Sequence, residues 1–261
     1  MTFPLDLLAW PFAVGLLVLA THVPLGRRVL ARGIIFLDLA VAQIAVLGVV
    51  AAHALDLAAE GWPTQLAAAA AALAGAALLA ECERRWPEIQ EALIGSSFVV
   101  SASLAVLMLA HDPHGGEHLA SLLAGQILWA TPEQAMPLAG LTVLLGAFLA
   151  WRGDRLGRLG FYLAFALAIT ASVQLVGVYL VFASLILPAL AVRGLPPRAA
   201  LAAGWGLGAL AYAAGLAVSA WGDWPAGPAI VVALALGAGL LRLGLNLAVK
   251  GQQVAAKGRQ R

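Results

Sequence analysis

Runs of about 20 residues without an acidic or basic side chain dominate this chain. They occupy 7–26, 61–80, 92–110, 134–151, 160–192, 199–222 and 224–241, and 33–55 is interrupted only by Asp38 and His53. A helix rises 1.5 Å per residue, so roughly 20 apolar residues match the ~30 Å of a bilayer's hydrocarbon. Only 11% of the residues are charged, against about 25% in a soluble domain. So few charges cannot cover a water-facing surface, and the solvent of this chain is lipid. That excludes a disordered chain, a secreted disulfide scaffold and a nucleic-acid-binding domain. Cys82 is the only cysteine, which leaves no disulfide and no multi-thiolate metal site within one chain. No basic stretch or cleavage-like site precedes the first run, so it is expected to be a retained span and not a signal peptide.

The direction of the spans follows from the arginines. Arg27, Arg28 and Arg32 follow the first run, Arg84 and Arg85 the third, and Arg152, Arg155 and Arg158 the fifth. Arg193 and Arg198 follow 160–192, while Lys250, Lys257, Arg259 and Arg261 lie in the tail. An N-terminus outside and a C-terminus in the cytoplasm put all of these on the inner side, as the positive-inside rule requires. Arg242 then snorkels near the inner end of the last span.

The 160–192 run resists this count. Two full crossings need about 40 residues, whereas one crossing would place Arg193 and Arg198 outside. The expectation is an out-and-back pair with a short or broken member, turning near Gln174 to Gly177. Irregular backbone at membrane depth must be buried in protein or line a cavity, so this segment belongs inside the bundle. The fold class is an all-α polytopic transmembrane bundle of nine helical elements, or eight, one of them broken or re-entrant. A single transmembrane domain over 1–250 and a polar cytoplasmic tail over 251–261 are expected. The alanine-rich stretch 67–77 and the Gly204/Gly208 pair suit close helix packing within one chain.

Polar groups in such a chain are candidates for function by default. Asp38 is a carboxylate on a membrane helix, either facing a pathway or neutralised by Arg32. Gln43 sits five positions further on, and Thr170 and Gln174, four apart, share a helix face. The loop between the fourth and fifth runs carries His111, His114, Glu117 and His118, with Pro113, Gly115 and Gly116 keeping it nonhelical. Imidazole with carboxylate suits zinc, and also manganese or iron; the competing reading is a wet polar loop. His53, at the outer mouth of the second span, is positioned to join it. A phosphate-binding glycine loop is missing, since Lys250 and Lys257 are each followed by glycine. No Gly-x-Ser-x-Gly or His-Glu-x-x-His motif is present. Hydrolysis of ATP is therefore expected on another subunit, and the chain is not an enzyme.

Three stretches together resemble the zinc/manganese-type metal permeases of ATP-binding-cassette (ABC) transporters. They are 33–48 with Gly33, Asp38, Gln43 and Gly48; 118–129 with His118, Gly125 and Trp129; and 172–189 with Gln174, Gly177, Ser184 and Pro188. The resemblance implies a homodimeric permease in the plasma (inner) membrane, two cytoplasmic ATPase subunits and an extracytoplasmic metal-binding protein. It matches Asp38 to the family's pathway aspartate. It also matches the stretch from Pro188 through Arg193, Gly194 and Arg198 to the cytoplasmic coupling helix that docks on the ATPase. The family pattern often has a histidine four residues after the aspartate; here Ala42 stands there, with Gln43 beside it.

The function expected from sequence is import of a divalent metal, zinc first and manganese or iron next, with no permanently bound cofactor and the metal as substrate. Asp38, Gln43 and Gln174 would line the pathway. His53, His111, His114, Glu117 and His118 would attract or sense the ion at the entrance. The rivals are a permease for metal chelates or vitamins, and a membrane scaffold or regulator without transport. The proposed orientation has a direct check. In a Cys82→Ser background, a His114→Cys variant is expected to react with a membrane-impermeant thiol reagent added outside intact cells, and labelling only after the inner face is opened would reverse the topology.

Overall fold

The structure is a computed structural model that describes residues 5–54, 62–109, 116, 120, 123, 125–152 and 155–258. Among them are eight helices: α1 (Leu5–Arg32), α2 (Leu37–Ala54), α3 (Trp62–Arg85), α4 (Gln90–Leu109), α5 (Pro132–Arg152), α6 (Arg158–Ala191), α7 (Pro197–Gly222) and α8 (Ala226–Gly258). Short 3-10 turns cover Pro87–Ile89 and Ile127–Trp129. Seven of the helices are long and apolar enough to cross a membrane, and the apolar stretch of α2, Leu37–His53, is shorter. Large apolar side chains such as Leu144, Leu210 and Leu236 point outward and are exposed. In water each would carry a burial penalty left uncollected; in lipid they are solvated.

One end of the bundle gathers the arginines, and contacts there settle the course of α6. At its start, Arg158 pairs with Glu83 at 3.4 Å, Arg32 lies over the Phe161 ring at 4.1 Å, and Tyr162 hydrogen-bonds Gln90. Just past its end, the Pro197 carbonyl accepts a hydrogen bond from Arg27 at 3.2 Å. Arg27 and Arg32 both belong to the last turns of α1, so α6 begins and finishes at the same end. A straight helix of 34 residues would extend roughly 50 Å and could not do this. The chain turns back at Gly177, whose φ of 79° and ψ of 163° are not helical. The expected out-and-back pair is thus present, with its turn at the C-terminal edge of the interval read from sequence. Counting the two limbs separately brings the long helical elements among the described residues to nine.

Breaking a helix in an apolar bundle frees backbone groups that must find partners. At this break the Leu175 carbonyl accepts a hydrogen bond from the Gln126 amide at 3.3 Å. Gly125, at φ 73°, lies directly on the turn: a Cβ there would come within 2.2 Å of the Val176 carbonyl group. The segment before α5 therefore caps the broken helix, and glycine is needed on both sides of the contact.

Small residues set the remaining packing. Gly48 of α2 faces Ala67, Ala68 and Ala71, and Gly75 of α3 faces Ile44, so the alanine-rich helix packs against α2. Gly204 and Gly208 of α7 face Val23 and Leu19 of α1, and Gly15 faces Tyr212. The glycine pair read from sequence serves packing within the chain. These contacts run α7 antiparallel to α1, and Gly215 against Ile230 brings α8 back along α7.

A Gly177→Ala substitution forces a side chain into a conformation that glycine almost alone adopts, at a cost of about 1–3 kcal/mol. Both Gly177→Ala and Gly125→Ala are expected to lower the thermal unfolding midpoint in detergent. Gly146→Ala, with open space around its Cβ position, should leave the midpoint unchanged or raise it.

Candidate functional site

Asp38 stands in the first turn of α2. It is 1% exposed, and neither carboxylate oxygen has a hydrogen-bond partner among the described residues. Arg32, the sequence candidate for neutralising it, is stacked on Phe161. A buried carboxylate without a hydrogen-bond partner carries its desolvation penalty uncompensated unless a proton or a cation neutralises it.

Gln43 occupies a different face of the same helix. Five residues of helix rotate a side chain by about 140°, so Asp38 shares its face with the fully buried Ala42 while Gln43 aligns with Leu39. Leu39 and Gln43 line a groove of about 660 Å³ together with Phe98 and Val106 of α4, Tyr179 and Phe182 of the returning limb of α6, and Val231 and Ala235 of α8. Among the described residues Gln43 contributes the only side-chain amide to this otherwise largely apolar wall. Polar atoms are scarce here because α4 and the returning limb present mostly aliphatic and aromatic side chains.

Gln174 lines a second cavity, of about 560 Å³, between α3, α5 and the outgoing limb of α6. Thr170, Gln65, Glu133 and Gln134 line it too. Among the described residues Thr170 Oγ1 and Gln174 Nε2 are buried without hydrogen-bond partners, and their spacing of four puts both on the cavity side, as the helix period requires. The three residues expected along a pathway therefore occupy three settings: Asp38 in the packed interior, Gln43 in the groove and Gln174 in the second cavity.

Of the residues expected at the entrance, His53 lies in the last turn of α2 and is half-buried. His111, His114, Glu117 and His118 lie outside the described residues. Among the described residues no group of three or more His, Cys, Asp or Glu side chains gathers as a metal site. The sequence reasoning passed over His22. This imidazole is fully buried in α1, and its Nδ1 lies 2.9 Å from the Val18 carbonyl. A carbonyl only accepts, so Nδ1 carries the proton, and Nε2 is left as a lone pair without a partner. The signal that found Asp38, an ionisable group inside an apolar run, marks His22 as well.

The stretch matched to a coupling helix is the junction of two spans. α6 contains Pro188 and ends at Ala191; a tight turn over 192–196 follows, and α7 starts at Pro197. Gly194 takes φ 90° in that turn, which closes on a hydrogen bond from the Leu195 amide to the Val192 carbonyl at 3.1 Å. Arg193, Gly194 and Arg198 are exposed, so the turn projects from the arginine end of the bundle.

The family model of the ABC 3 transport family matches residues 5–156 and 153–240, which takes in α1 to α7 and the first part of α8. The chain belongs to the ABC 3 transport family. It is a multi-pass membrane protein of a transporter, as its motifs imply. Among solved structures this ABC 3 permease is similar to PsaBC from Streptococcus pneumoniae, solved in complex with a Fab, with a TM-score of 0.73 and 17% identity over 93% of this chain and 95% of that one. It is also similar to a transporter described as metal-chelate type in an inward-facing conformation, with a TM-score of 0.67 and 16% identity over 88% and 84% of the two chains. At these identities the likeness concerns the fold, a permease bundle. No curated protein matches the sequence.

Proposed function

We propose that this permease is the membrane subunit of an ATP-driven importer for a divalent metal ion, zinc first and manganese or iron next. The observation that carries the proposal is the buried carboxylate of Asp38, without a hydrogen-bond partner among the described residues of a chain in a transport family; the resemblance of its motif to the metal permeases adds the expectation of a pathway aspartate there. A divalent cation would supply the missing partner. Gln43, a buried amide on the groove wall, is a second contact for the ion, and Gln174 serves the separate polar cavity between α3, α5 and the outgoing limb of α6. His53, His111, His114, Glu117 and His118 collect the metal handed over by an extracytoplasmic binding protein.

The groove between α2, α4, the returning limb of α6 and α8 is open on one side, and a second copy of the chain closes it into a channel. Gathering of the arginines at one end supports a cytoplasmic location for that end, with the N-terminus outside. The exposed turn with Arg193, Gly194 and Arg198 then meets a separate ATPase subunit. Binding of ATP there drives alternating access, and the chain itself hydrolyses nothing.

A second reading, import of a metal chelate, is favoured by the apolar lining of the groove, which would solvate an organic shell better than a bare ion. One experiment separates the two. ATPase activity of the reconstituted complex is measured with free zinc, manganese, iron and cobalt, and with chelates of the same metals. Stimulation by a free ion supports the first reading, and stimulation by chelates alone supports the second. Asp38→Asn, which keeps size and removes charge, is expected to lower uptake of the stimulating ion by more than about tenfold, the scale of losing a metal-site contact. Uptake at the unmodified level in that variant would remove Asp38 from the pathway.

A further inference from the structure

The exposed turn between α6 and α7 is held at both ends by guanidinium groups from other helices. Arg242 of α8 donates from Nη1 to the Arg193 carbonyl at 2.6 Å. Arg27 of α1 donates from Nη1 to the Pro197 carbonyl at 3.2 Å. Bonds of this kind, with a charged donor, are among the stronger ones a chain can form. The Arg193 carbonyl lies just past the C-terminus of the returning limb of α6, where the helix dipole favours a cation. Gly194, at φ 90°, bends the backbone between the two bonds, so Arg242 and Arg27 fix the two ends of a tight turn to α8 and α1.

The first of these arginines shares a helix face with the groove. Positions 231, 235 and 242 are spaced four and seven apart, which places them on one stripe of α8. Val231 and Ala235 line the groove, and Arg242 ends the same stripe at the turn. Arg193 is thus bonded to the helix whose side chains at 231 and 235 form part of the groove wall. Arg27 works on α1, whose preceding turns carry Val23 and Leu19 against α7.

We infer that Arg242 and Arg27 are positioning residues that tie the α6–α7 turn to α8 and α1, so that movement of the turn is transmitted to the groove. This rests on the proposed coupling of the turn to an ATPase subunit. Backbone carbonyls are the acceptors, so no second side chain has to match the arginines; only a long cationic donor is needed. Lysine meets that need in part, and a neutral side chain of similar length does not.

The test uses the complex of the full chain with its ATPase subunit in proteoliposomes, loaded with the metal that stimulates the unmodified complex. Three quantities are read for Arg242→Met, Arg242→Lys and Arg27→Met: retention of the ATPase subunit during purification, ATP hydrolysis, and metal moved per ATP. For Arg242→Met the expectation is full retention, continued hydrolysis and a fall of about tenfold in metal moved per ATP, the scale of one charge-assisted hydrogen bond. Arg242→Lys should recover most of that loss, and Arg27→Met should show a smaller deficit of the same kind. Metal moved per ATP at the unmodified level in Arg242→Met overturns the inference. Loss of the ATPase subunit in that variant also overturns it, because the arginine would then shape the docking surface and not transmit movement. Failure of the unmodified complex to couple ATP to metal uptake instead refutes the proposed function, and is told apart because it needs no variant.

Discussion

Every backbone amide and carbonyl inside a bilayer needs a partner within the protein, and the fold of this chain follows from how that demand is met at Gly177. A helix that crossed once would satisfy itself and leave the Arg193–Arg198 turn at the wrong end of the bundle. By breaking at a glycine, α6 comes back to the end it started from, and the Leu175 carbonyl at the break is taken up by Gln126 from a distant part of the sequence. The enclosed position of α6 is a consequence of the same demand. Only a segment surrounded by other helices has neighbours available to complete an interrupted ladder. The arginine end, the groove and the exposed turn all take their places from that reversal.

Much of this was legible in the chain before any coordinates. Apolar run length located the spans, and the arginines on both sides of 160–192 required a reversal inside it, because charge on a loop is a stronger constraint than apolar length. The alanine-rich α3 and the Gly204/Gly208 pair read correctly as packing surfaces, since small residues have one dominant use between helices in lipid. Asp38 stood out because a carboxylate is rare in such sequence, and it is indeed buried without a partner.

Other features were not legible, for reasons that are equally physical. Apolar sequence carries little periodicity to show which face of a helix meets which neighbour, so the division of Asp38, Gln43 and Gln174 among three settings had no sequence signal. The short apolar stretch of α2 let Asp38 and Gln43 look like one site, although a five-residue step turns them well apart. His22 was passed over because attention fell on imidazoles in loops. The clamp on the α6–α7 turn was hidden for a different reason: Arg27 and Arg242 bind backbone carbonyls, and a carbonyl leaves no mark on residue identity.

The short limb of α6 has a further consequence for the membrane itself. From Gly177 to its end at Ala191 it rises only roughly 21 Å at 1.5 Å per residue, less than the ~30 Å depth of hydrocarbon. Its two ends therefore cannot both reach the membrane surfaces: one of them, the turn at Gly177 or the junction with α7, lies within the depth of the hydrocarbon.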